Sequence, residues 1–179
     1  MADEANNRGA FAIQRAYCEA MGAPITMRVV GAVHDALDRD TAIGRRILDW
    51  PGEPTADALP LRIVGGLHAL AQAGHGDLAR LFGGAVRGAD ESRAIVAAAF
   101  AAHDAALQPW LDGPPQTNEA GRSGALIIGL IAIARRFGHP LDVMEIGSNA
   151  GFNLLVDRLR YDLGGTIIGP EDSPVTIAP

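Results

Sequence analysis

Apolar positions over the first 111 residues recur at helical rather than strand spacing, and glycine and proline breaks cut them into segments. Phe11, Ile13, Tyr17, Ala20 and Met21 give residues 6–21 a rough apolar face, which Gly22 to Pro24 ends. Pro24 suits the first turn of a second helix, in which Ile25, Val29, Val33 and Leu37 are spaced by four as far as about Asp38. Thr41 is placed to cap a short helix carrying Ile43, Ile47 and Leu48. Three prolines and a glycine make residues 50–60 a loop. Leu61, Val64, Leu67, His68 and Leu70 line a helix over 61–73, stopped by Gly74 and Gly76. A short amphipathic turn at 77–82 and an Ala-rich helix at 89–111 follow, and Asp112 to Pro115 ends the series. Six helical segments with short breaks predict an irregular helical domain over residues 1–115.

The pattern changes after Pro115. Gln116-Thr117-Asn118-Glu119 starts a helix that reaches Phe137, where Gly138 and Pro140 terminate it. Residues 141–146 (LDVMEI) read as a strand, 147–151 as a loop and 152–163 as a helix. Gly164-Gly165 reads as a turn and 166–168 as a second strand. That order is a β-α-β unit. The expected architecture is therefore mainly α: an irregular helical N-terminal domain, then over 116–179 the first β-α-β of an incomplete Rossmann-like domain. One or two strands cannot bury Leu141, Val143 and Ile146 on both faces. A loosely held homodimer through this region is the expected remedy.

Composition removes several function classes. All fifteen basic residues are arginine, so no Walker phosphate loop and no Schiff-base lysine can exist. The net charge of -6 disfavours a nucleic-acid backbone as partner and leaves only a local arginine patch as a basic feature. Cys18 is the one cysteine, which excludes an intrachain disulfide and a thiolate metal cluster. His34, His68, His75, His103 and His139 are scattered with no H-E-x-x-H spacing, so no metal site is expected. The longest apolar run, 125–134, is about half the ~20 residues that cross a bilayer, and Arg122, Arg135 and Arg136 flank it. With acids at Asp3 and Glu4 and no secretory core, a cytoplasmic protein without membrane contact is expected.

The chemistry concentrates in Glu145-Ile146-Gly147-Ser148-Asn149-Ala150-Gly151, an E-x-G-x-x-x-G pattern between the expected strand and helix. The first glycine permits a sharp turn with room for a ligand, the second permits close packing, and the helix N-terminus offers free N–H groups. In class I methyltransferases such a loop cradles the amino-acid part of S-adenosylmethionine, and the strand acid orients it. A dinucleotide loop needs a glycine at position 149, and a hydrolase elbow needs a serine there; Asn149 meets neither. Asn118, Glu119 and Arg122 share a helical face before the strand, either as an ion pair beside the Thr117 cap or as a contribution to the loop. Asp172, after the second strand, stands where a ribose-binding acid or a simple turn residue would fall. Asp157, Arg158, Arg160, Tyr161 and Asp162 read as a solvated helix face. His68 and His103 read as structural, Trp50 and Trp110 as packing residues, and Cys18 as a buried small residue.

Two stretches together carry a family resemblance: Gln116-Thr117-Asn118-Glu119-x-x-Arg122-Ser123, and Glu145-Ile146-Gly147-Ser148-x-Ala150-Gly151-x-Asn153-Leu154 followed by Asp157-Arg158-x-x-Tyr161. With Gly66-Leu67-His68 they make the chain resemble the bacterial domain-of-unknown-function family 2332 along nearly its whole length. Asn149 stands where the family usually has serine, and Phe152 where it has leucine. The resemblance implies a helical domain joined to a methyltransferase-like Rossmann domain, here ending early. It implies S-adenosylmethionine as cofactor, bound at Glu145, Gly147, Ser148, Asn149 and Gly151 with Asn118, Arg122 and Asp172 nearby. Direct methyl transfer needs positioning more than acid–base groups, so no catalytic residue is named. The rival expectations are a non-catalytic helical module that self-associates through its Rossmann edge, and a small-molecule binder without turnover.

Overall fold

The computed structural model describes residues 3–115, 119–148 and 150–178. The chain divides into two compact units, Met1–Pro115 and Gln116–Pro179. It is mainly helical, with a small three-stranded sheet near the C-terminus.

The first unit holds α1 (Glu4–Ala20), α2 (Pro24–Ala36), α3 (Ala42–Leu48), α4 (Leu59–Gln72), α5 (Gly76–Phe82) and α6 (Ala89–Leu107). A 3-10 turn at Gln108–Leu111 continues α6. Local chemistry sets the starts. The Asp3 carboxylate accepts from Ala5 and Asn6 N–H at 3.0 and 3.3 Å, Pro24 opens α2, and Thr41 Oγ1 accepts from Gly44 N–H at 3.1 Å. A second cap for α3 comes from far along the chain: Asp104 accepts from Ala42 and Ile43 N–H at 2.8 and 2.7 Å. Val29, Val33, Ile43, Ile47, Ile63, Leu67, Leu81, Phe100 and Leu107 are buried in one continuous core.

Helix α1 presents a different face from the one its apolar residues suggest. Asn7, Ala10, Phe11 and Cys18 point inward, while Ile13, Tyr17 and Met21 are exposed. Asn7 belongs on the inner face because its side-chain amide donates to the Leu48 and Trp50 carbonyls at 2.9 and 3.2 Å. His68 is likewise exposed and stacks on Phe82, with ring centroids 4.8 Å apart, rather than lying in the core.

In the second unit a 3-10 turn (Ala120–Arg122) leads into α7 (Ser123–Phe137), and Gly138 in the left-handed region ends it. From there the chain departs from the β-α-β expectation. Residues 141–145 form no strand, and 152–163 is not a helix: a 3-10 turn at Phe152–Leu155 gives way to strand β1 (Arg160–Leu163). β1 pairs antiparallel with β2 (Thr166–Ile168) and parallel with β3 (Thr176–Ile177), in the order β2-β1-β3. Two physical reasons account for the difference. A lone apolar strand has no ladder partner for its N–H and C=O groups, so 141–146 gains nothing by becoming one. Gly164 and Gly165 both take positive φ, 67° and 91°, as a two-residue hairpin turn requires. That turn folds Ile168 back onto Tyr161 and draws 160–163 into the sheet. Tyr161 is fully buried, and its hydroxyl donates to the Val156 carbonyl at 3.2 Å.

Among the described residues, no helix is long and apolar enough to cross a membrane, and no group of three or more His, Cys, Asp or Glu side chains is placed to hold a metal ion.

Candidate functional site

In sequence, the 145–151 segment falls between α7 and the 3-10 turn at Phe152–Leu155, which carries Asn153. Its two glycines, Gly147 and Gly151, both have φ of 74°, a conformation that side-chain-bearing residues rarely adopt. A side chain at either position would meet open space, so backbone conformation and not crowding selects glycine. The loop is thus a shaped turn with a cleared surface, although no strand leads into it.

Polar chemistry gathers at the two ends of this turn. Asn153 Nδ2 donates to Glu145 Oε1 at 3.0 Å. Among the described residues that bond leaves Glu145 Oε2 and Asn153 Oδ1 buried without a hydrogen-bond partner. Two orphaned acceptor oxygens on adjacent groups are costly, on the order of 1–3 kcal/mol each. An N–H or ammonium donor entering between them would recover that cost.

The remaining expected site residues are distributed unevenly. Ser148 is exposed on the loop, and Ile146 beside it is 95% exposed. Arg122 donates through Nε to Glu119 Oε2 at 3.3 Å, an exposed ion pair. The turn that carries Arg122 touches the Phe152–Leu155 turn, which brings the start of α7 next to the end of the loop. Asp172 is exposed in the turn between β2 and β3. The strand that precedes it, β2, is the antiparallel arm of a hairpin and not the parallel strand of a β-α-β unit. Asn118 and Asn149, with Gln116 and Thr117, lie outside the described residues. Asn153 is a polar partner of Glu145 that was not among the expected site residues. Its signal was present in the motif, eight positions after the acid it binds.

A second feature of the unit is apolar. Val143, Met144 and Ile146 are 46%, 87% and 95% exposed. Leu141 and Val143 also line a shallow groove of about 210 Å³ with Ile127, Leu130, Ile131 and Ala134 of α7.

Residues 8–179 match a family model described as "Uncharacterized protein conserved in bacteria (DUF2332)". The molecule is therefore one of a class of bacterial proteins defined by shared sequence. The chain belongs to that family, domain of unknown function 2332. No curated protein and no solved structure matches it.

Proposed function

We propose that the 145–153 turn is the cofactor-binding segment of a methyltransferase-like protein, and that it receives the amino-acid end of S-adenosylmethionine. The observation that carries this reading is a pair of buried oxygens, Glu145 Oε2 and Asn153 Oδ1, that have no partner among the described residues and belong to a segment with two left-handed glycines. The ligand's ammonium group is a donor of the kind those oxygens require, and the bare glycine backbone leaves room for its chain. A carboxylate facing an ammonium gains a charge-assisted bond of about twice the neutral strength. Glu145 and Asn153 are thus holding groups; the methyl donor's chemistry is supplied by the cofactor itself.

Calorimetric titration of the purified chain with S-adenosylhomocysteine tests this. Saturable binding is expected. It should be lost in Gly147→Trp, which blocks the turn, and weakened about tenfold in Glu145→Gln, the loss of one charge-assisted bond. Absence of saturable heat at millimolar ligand overturns the proposal, as does binding that both variants leave unchanged.

One observation favours a second reading, a non-catalytic module that self-associates. Met144 and Ile146 expose apolar surface beside the α7 groove, and surface of this kind marks contact sites. Under this reading the chain sediments as a homodimer at micromolar concentration, and Ile146→Asp converts it to monomer. A concentration-independent monomer would exclude it.

A further inference from the structure

We propose a small-anion site in the first unit, in the groove lined by Arg15 of α1, Arg28 and Gly31 of α2, and Arg87 and Ser92 around the start of α6. The ligand class is a free phosphate or diphosphate group.

The argument begins from pairing. The first unit contains ten arginines. Arg8, Arg39, Arg46 and Arg80 form ion pairs with carboxylates, and Arg45 and Arg62 donate to backbone carbonyls. Among the described residues the side chains of Arg15, Arg28, Arg87 and Arg93 make neither a hydrogen bond nor an ion pair, and three of these four residues line one groove. In a chain with twenty-one acids against fifteen bases, carboxylates are in surplus. Three arginines unpaired among the described residues, lining a single concavity of about 200 Å³ that holds one acid, Asp35, are therefore the unusual arrangement. Planar guanidinium forks match phosphate oxygens and are the side chains best suited to them.

Gly31 provides the room. Arg15 Cδ, Nε and Nη1 lie 3.5–3.6 Å from where a side chain at Gly31 would begin, so the guanidinium stem rests on the bare backbone of α2. Arg15 and Gly31 also line an adjoining groove of about 260 Å³ with Glu19 and His34, and an anion could be exchanged through it. One acid opposes the anion in the main groove: Asp35, whose Oδ1 lies 2.9 Å from His34 Nδ1. The enclosed volume suits a small anion rather than a polymer.

The test is calorimetric titration of the full chain with inorganic phosphate and inorganic diphosphate at low salt. Saturable one-to-one binding is expected, tighter for diphosphate and weakened by added chloride. Arg15→Gln, Arg28→Gln and Arg87→Gln should each cost about tenfold in affinity, the loss of one charge-assisted bond. Arg93→Gln makes the same charge change outside the groove and should leave binding unchanged. Asp35→Asn should tighten binding, a gain that loss of fold could not mimic. No saturable heat at millimolar diphosphate overturns the proposal. Equal weakening by Arg93→Gln also overturns it, by reducing the effect to net charge.

Discussion

Asn7 and Asp104 do work that their residue types conceal. Each is polar and each holds a distant segment: Asn7 fixes the end of α3 through the Leu48 and Trp50 carbonyls, and Asp104 fixes its start through Ala42 and Ile43 N–H. Burial alone would raise the Asp104 pKa, but the two backbone donors and then the Gln108 amide outweigh it and hold it below the ordinary 3.8. A depressed folded-state pKa contributes stability above the unfolded value and loses it as pH falls through the folded value. Asp104→Ala is expected to cost about 1–2 kcal/mol in urea unfolding at pH 7, the size of a lost helix cap, and the gap should narrow below about pH 4. A gap that stays constant down to pH 3 would contradict the ionised-cap account. Neither role was legible from sequence. Hydrophobic periodicity assigns polar residues to the outside, and only the tertiary arrangement reveals a partner 41 or 61 positions away.

At the scale of elements, the helices of the first unit were legible and the second unit was not, for different physical reasons. α2 shows the first case. Val29, Val33 and Leu37 repeat every four residues and are buried in the structure, because helical period and core contact coincide. Gly164-Gly165 shows the second. It reads equally as a helix stop or a hairpin turn, and the choice depends on which neighbour pairs with Arg160–Leu163. The same ambiguity made LDVMEI look like a strand, since alternation identifies a strand only where a partner completes its ladder. The hairpin assignment has a direct consequence. Gly165→Val forces a branched residue into a left-handed position and should destabilise the second unit by about 1–2 kcal/mol, while Gly165→Asn should cost only a few tenths. Urea unfolding followed by hydrogen exchange of peptides covering Arg160–Ile168 measures both. Equal tolerance of valine and asparagine would mean that the turn is not what sets the sheet.

For the whole molecule, family membership spans residues 8–179 and so joins the helical unit and the glycine-turn unit in one inherited chain. Two of the stretches that carry the resemblance flank α7 in sequence, and the fold after α7 differs from the expected β-α-β pattern. The proposed ligand role therefore rests on the motif's local chemistry and not on its topology: its acid, glycines and Asn153 have hydrogen-bonding capacity unmet among the described residues even without a strand before them. The central claim is that the 145–153 turn binds the amino-acid end of S-adenosylmethionine. Hydrogen–deuterium exchange of the intact chain, with and without saturating S-adenosylhomocysteine, tests it most directly. The account predicts slowed exchange in peptides covering residues 141–156, with the rest of the chain unchanged. Unaltered exchange there, or slowing confined to residues 3–115, would contradict it.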